Sequence, residues 1–300
     1  MKKWIKRSLW AVMGFVLLAA AVLVVGVFLG ERKMSRVVAV DVAPLAVSLD
    51  ASAIAQGRYL YATRGCADCH GASGAGKVVI DEGGLYVASP NLTQGAGSVT
   101  RGYRNEDWVR VIRHGLKPNS QPVMIMPSED YSRLSDPDTA ALIAYIATLA
   151  PVPGSPAVIH LPAPVKALYA FGVVRDAAEK IAHTMVPPVP VEPGPTLEHG
   201  AYVANTCIGC HGPGLSGGKI PGAPPSWPAA ANLTPGANSA MARYATPQAF
   251  AAMMRSGVRP DGTRVSQVMP FAALGAMNDV DLKALHMYLR SVAPRDAGQR

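Results

Sequence analysis

The pentapeptide Cys66-Ala67-Asp68-Cys69-His70 recurs as Cys207-Ile208-Gly209-Cys210-His211, 141 residues further along the chain. Two cysteines two residues apart, followed at once by histidine, form the C-x-x-C-H signal for covalent attachment of a c-type haem. The thiols of Cys66, Cys69, Cys207 and Cys210 make thioether bonds to the macrocycle. The imidazoles of His70 and His211 each take one axial position on an iron. These are all the cysteines the chain has, so none remains for a disulfide. A thioredoxin-like redox pair or half a zinc site also begins with C-x-x-C, but neither explains a histidine directly after both pairs. The chain must therefore fold around two covalently bound haem c groups, and its chemistry is that of electrons.

The sequence around the two motifs repeats as well. Asn91-Leu92-Thr93 lies 21 residues after His70, and Asn232-Leu233-Thr234 lies 21 after His211. Gly115 and Gly257 follow their histidines by 45 and 46, and Met126-Pro127 and Met269-Pro270 follow them by 56 and 58. A period of this size means two copies of one folding unit rather than a short-period solenoid. The copies span 51–150 and 196–294, followed by a tail at 295–300. Each reads as helical with long loops. Gly57 and Gly200 sit inside the helix before each motif, where a residue without a side chain points to close approach of another helix. The last helix starts at Ser135-Asp136-Pro137-Asp138 in one copy and Asn278-Asp279 in the other. Both continue with apolar residues at helical spacing. Gly71 to Gly84 and Gly212 to Pro228 show neither a strand nor a helix pattern.

Residues 151–195 separate the copies and hold ten of the 26 prolines, bunched at both ends around an expected helix from about Val165 to Thr184. Such ends make semi-rigid spacers.

The second axial ligand decides the chemistry. Methionine thioether opposite histidine makes a pure carrier and raises the reduction potential. Most of the 12 methionines are ordinary packing residues. Met126 and Met269 stand apart because they occupy equivalent positions, each followed by proline. They are the candidate iron ligands, with His70 and His211. His114 falls opposite Ser256, and His160, His183, His199 and His286 have no histidine counterpart, so these read as surface or satisfied polar residues.

Ser8 to Gly30 is 23 residues without a charge, long enough as a helix to cross a hydrocarbon core of about 30 Å. It follows a basic flank, residues 1–7, with Lys2, Lys3, Lys6 and Arg7, which the positive-inside rule keeps in the cytoplasm. A cleaved signal peptide is the alternative, but its apolar region is shorter, about 7–15 residues. The expectation is an uncleaved anchor at 8–30, then a spacer at 31–50, with the remainder across the membrane. The basic flank supplies half of the net charge of +8, and no stripe of Lys and Arg interleaved with aromatics suggests nucleic acid.

With these residues together, the chain resembles two tandem class I cytochrome c domains behind one N-terminal transmembrane helix, an all-α fold. The segments from Gly115-Leu116-Lys117-Pro118 to Met126-Pro127 and from Gly257-Val258-Arg259-Pro260 to Met269-Pro270 are similar to those of the cytochrome c subunits of membrane-bound alcohol, aldehyde and sugar-acid dehydrogenases. Those subunits usually carry three haem domains, against two here. The resemblance implies helices packed around each haem, with Asn91 and Asn232 in a haem-lining loop. It implies a protein of a bacterial inner membrane, its haem domains in the periplasm. The expected role is electron carriage from a dehydrogenase or quinol-oxidising complex to a terminal oxidase or soluble cytochrome, rather than catalysis. A dihaem peroxidase or sulfur-compound oxidase with one open iron position is the rival, and a purely structural tether is a third reading.

Overall fold

The computed structural model describes residues 2–224, 226–236 and 238–300; Met1 and the side chain of Lys2, both in the expected basic flank, and Pro225, in the second loop, lie outside the described residues. The chain is mostly helical. It opens with α1 (Lys2–Met34), a helix of 33 residues and about 50 Å. This helix is long and apolar enough to cross a membrane. Its outward side chains, such as Leu9, Phe15 and Val24, are bare.

The two haem units share one design. In the first, α2 (Ala51–Thr63) crosses α6 (Asp136–Ala147); in the second, α8 (Leu197–Ala204) crosses α12 (Asp279–Ser291). A Cβ on Gly57 would stand 1.9 Å from the Ala141 carbonyl oxygen, and one on Gly200 would stand 2.1 Å from that of Ala284. The close approach expected at both glycines is what the helices do. Side-chain oxygens of Ser135 and Asn278 accept from the backbone N–H three residues on, in Asp138 and Asp281, and so start α6 and α12. Between these helices lie α3 (Cys66–His70), α4 (Asn105–His114) and α5 (Ser128–Tyr131) in the first unit. The second has α9 (Ile208–His211), α10 (Pro247–Ser256) and α11 (Phe271–Gly275). Each unit buries its own core, one around Leu60, Trp108, Ile112 and Leu142, the other around Val203, Phe250, Met254 and Leu285.

Three departures from expectation have plain causes. The segment from Gly71 to Gly84 holds most of a hairpin, β1 (Val78–Glu82) with β2 (Leu85–Ala88). It turns at Gly83-Gly84, both at positive φ, the requirement of a tight two-residue hairpin turn. The linker then adds a third strand, β3 (Val158–His160), beside β2. The linker helix is shorter than 165–184: α7 covers Ala163–Ala170 and stops before Gly172, which is at φ +77°, leaving a single 3₁₀ turn at Ala178–Lys180. The spacer, finally, is a strap on the first unit. Val38 N–H donates to Ser120 O at 2.9 Å, Arg110 to Val40 O at 3.1 Å, and Val42, Leu45 and Val47 pack on its core.

Candidate haem-binding sites

Each C-x-x-C-H forms one short turn of helix, α3 in the first unit and, in the second, α9 together with Cys207 of the 3₁₀ turn before it, ended by a glycine at positive φ, Gly71 or Gly212. That turn puts two cysteines on one side and sets the histidine beside the loop carrying Asn-Leu-Thr. His70 Nδ1 lies 3.0 Å from the Pro90 carbonyl oxygen, and His211 Nδ1 lies 2.8 Å from that of Ala231. Those carbonyls immediately precede Asn91 and Asn232. A proton held on Nδ1 by a carbonyl leaves the Nε2 lone pair free, the tautomer an axial ligand needs. Burial lowers the pKa of both imidazoles against these bonds, which favours the neutral form.

The cysteines do not sit as redox-active thiols do. Burial pushes Cys66 up to about 12 and Cys207 up to about 11, the reverse of the electropositive setting that makes a reactive thiolate. Among the described residues, no group of three or more His, Cys, Asp or Glu is placed to hold a metal ion, so neither pair is joined by further zinc ligands. The donor set therefore fits haem attachment better than the two rival C-x-x-C chemistries.

Met126 packs on the core that contains Cys66 and Leu92, and Met269 packs on the core beside Cys207 and Leu233. Four of the five other histidines have partners elsewhere. His199 Nε2 lies 2.8 Å from Asp281, His286 Nε2 lies 2.8 Å from Tyr244 O, and the Nδ1 atoms of His114 and His183 face each other at 3.2 Å.

Asn91 and Asn232 are buried structural pins. Each Oδ1 accepts from both the N–H and the hydroxyl of the threonine two residues on, Thr93 or Thr234. Each Nδ2 donates at 2.8 Å to a carbonyl past the final helix, Val152 O or Arg295 O. Residues 151–155, at the start of the linker, and 295–298, in the tail, are therefore tied to the equivalent loops that follow the two motifs.

Sequence reasoning missed the surface between the units, which has an approximate two-fold plan. The Tyr202 hydroxyl donates to Asp138 at 2.5 Å and accepts from the Ser135 N–H at 3.0 Å. Reciprocally, the Tyr59 hydroxyl donates to Asp281 at 2.7 Å and accepts from the Asn278 N–H at 3.1 Å. Each unit thus inserts a tyrosine into the helix cap of the other. The signal was present in Tyr59 and Tyr202, each two residues past its glycine, but a repeat alone does not say which partner a repeated residue meets. One half is reinforced: Arg64, almost wholly buried, reaches Asp281 at 3.3 Å. On either side, α9 packs against α5 and α3 against α11, so each attachment helix touches the segment following the other unit's Met-Pro. Gly209 makes room for this, since a Cβ there would stand 2.6 Å from Asp130 Oδ2.

Residues 54–150 and 198–293 each match the family described as Cytochrome c. Among curated proteins, the chain is 32% identical to the fructose dehydrogenase cytochrome subunit of Gluconobacter japonicus over 39% of its length and 27% of that protein's. It is 26% identical to the gluconate 2-dehydrogenase cytochrome c subunit of Pantoea cypripedii over 82% of its length and 61% of that protein's. The quinone-type alcohol dehydrogenase cytochrome c subunit of Gluconacetobacter polyoxogenes matches at 29% over 36% of this chain and 24% of its own. The chain thus spans less than two thirds of the length of each of these relatives.

Proposed function

Because this chain belongs to the cytochrome c family and its two domains carry two haem c groups, we propose that it is a membrane-anchored electron-transfer subunit that takes electrons from a dehydrogenase. Cys66 and Cys69 would hold one haem and Cys207 and Cys210 the other, with His70 and Met126, and His211 and Met269, as the residues that would bind the two irons. Each haem, when bound, supplies a one-electron couple. The residues of the chain fix the imidazole tautomer through Pro90 O and Ala231 O, tie down the loops after the motifs through Asn91 and Asn232, and keep the units docked. The donor reading is supported by the relatives, which are cytochrome subunits of fructose, gluconate and alcohol dehydrogenases. On this reading α1 is the anchor, the haem domains face the periplasm of a bacterial inner membrane, and electrons leave toward a terminal oxidase or a soluble cytochrome.

The observation that carries the proposal is the reciprocal docking of the two units, with each attachment helix against the other unit. A fixed interface of that kind suits transfer from one site to the other. The equivalent sequence positions of Met126 and Met269 weigh against the peroxidase or sulfur-oxidase reading, which needs one unit to differ. The test is gentle solubilisation of membranes followed by identification of what travels with the haem-staining chain. Co-purification with a flavin- or quinone-cofactor dehydrogenase, and haem reduction on adding that enzyme's substrate, is the expected result. Recovery alone, with no reduction by any dehydrogenase substrate, would refute it.

A further inference from the structure

The linker helix α7 runs antiparallel to the C-terminal end of α1 and packs on it at two glycines. A Cβ on Gly26 would stand 2.7 Å from Ala167 Cβ and 3.3 Å from the Phe171 ring, and one on Gly30 would stand 2.5 Å from Lys166 O. Gly26-Val27-Phe28-Leu29-Gly30 is a G-x-x-x-G pattern, the small-residue face that lets a second helix approach an apolar one closely. Gly26 and Gly30 are the buried positions in the apolar part of α1, and the chain itself supplies what covers them.

Charged contacts fix this hairpin on the side away from the apolar run. Lys166 pairs with Glu31 at 2.7 Å, Lys33 with Glu179 at 2.8 Å, and Arg36 with Asp176 at 2.6 Å. Tyr169 is fully buried among them. Its hydroxyl meets Arg36 and Asp176, and its carbonyl accepts from Lys33 at 2.9 Å. The first charge after the uncharged run is Glu31. Gly26 lies about 7.5 Å inside that boundary at about 1.5 Å of rise per residue. Phe171 packs on Gly26 and so lies at that depth. Leu168, Phe171 and Val173 nevertheless face outward, at 43%, 55% and 64% exposure.

We propose that the Leu168–Val173 segment is a second membrane attachment, inserted among lipid acyl chains of the leaflet on the haem side and held there by α1. The proposal rests on the reading of α1 as a membrane span. Its occupant is lipid because the turn continues the bare apolar surface of α1 at the same depth, beneath the ring of ion pairs. With the strap at 38–47 and the 3₁₀ turn at Ala178–Lys180 packed on the first haem unit, this attachment holds that unit at a set height and tilt over the membrane instead of on a flexible tether.

The experiment uses the full haem-loaded chain, whose native cysteines are occupied, in vesicles of phosphatidylethanolamine and phosphatidylglycerol with no other protein. Single variants Phe171→Cys and Val173→Cys are treated with a membrane-impermeant maleimide. Val16→Cys serves as a mid-span control and Val186→Cys, 83% exposed, as an aqueous one. Burial in lipid disfavours the reactive thiolate, so Phe171→Cys and Val173→Cys should react at least about ten-fold more slowly than Val186→Cys, with all variants reacting alike in sodium dodecyl sulfate. Fast reaction at both 171 and 173 with Val16→Cys still protected overturns the proposal, leaves the anchor, and marks the turn as open to a protein partner. Fast reaction at 16 as well overturns both readings.

Discussion

Asp281 takes polar contacts from both haem units at their junction, and Asp281→Asn keeps its shape while removing its charge. Its carboxylate accepts from Tyr59 and Arg64 across the interface and faces His199 within its own unit. The Arg64 and Asp281 side chains are only 3% and 5% exposed. Breaking such a pair from one side strands a buried guanidinium, at about 3–5 kcal/mol. Asp138 occupies the equivalent place in the first unit, with Tyr202 and Gln56 in the corresponding roles, but no guanidinium pairs with it among the described residues. Asp138→Asn should therefore cost only about 1–2 kcal/mol, the value of weakened hydrogen bonds to a charged acceptor. The assay is guanidinium chloride unfolding of the two haem-loaded variants side by side in detergent. The acid limb provides an internal check. Burial opposes ionisation of Asp281, but Arg64 with the Tyr59 and His199 hydrogen bonds outweighs it and lowers the pKa. A lowered pKa means this stabilisation is present above the ordinary carboxylate value and is lost as pH falls below about 4. Wild type should lose this term in acid, and Asp281→Asn should not. Equal costs for the two variants, or an unchanged acid limb, would refute the reasoning.

Gly57→Ala and Gly200→Ala force a methyl onto a facing backbone carbonyl, so each should destabilise its own unit by about 3 kcal/mol or more, read as an earlier loss of that unit's haem band on denaturation. Asn91→Ala leaves the Thr93 N–H without its acceptor and removes one of the two donors to the Val152 carbonyl, an expected cost of about 1–3 kcal/mol in chemical unfolding. Met126→Ala and Met269→Ala should each lower the midpoint potential of one haem and let that haem alone bind carbon monoxide when reduced, scored by difference spectra. Burial, then Glu129, pushes the Asp130 carboxyl up to about 7, so its stabilising protonated form is lost as pH rises from about 4 to 7. Asp130→Asn should remove that decline, worth at most about 4 kcal/mol, in unfolding midpoints taken across the range.

Much of the site was legible because it rests on local or repeated chemistry. C-x-x-C-H must place two thiols and an imidazole on one short turn, and both motifs do so. Gly57 and Gly200 announced a helix crossing because a missing Cβ has few other uses inside a helix. The hairpin at 78–88 was overlooked although Gly83-Gly84 signals its turn, since alternation in Val78–Glu82 is weak. The length of α7 was misread because apolar residues continue past Gly172, where the backbone does not. The carbonyls that Asn91 and Asn232 bind, of Val152 and Arg295, lie some 60 residues away in sequence and no local pattern points to them.

The sequence by itself determined two haem c groups, two copies of one helical unit and one long apolar helix, because covalent attachment, repetition and uninterrupted hydropathy are written in residue type and spacing. Tertiary structure alone decided how the parts meet: Tyr59 and Tyr202 in each other's helix caps, Arg64 against Asp281, and α7 on Gly26 and Gly30. Those contacts join residues more than 60 positions apart. Which of many exposed tyrosines or glycines finds a partner depends on where the chain is carried by everything folded between them, and no local pattern encodes that.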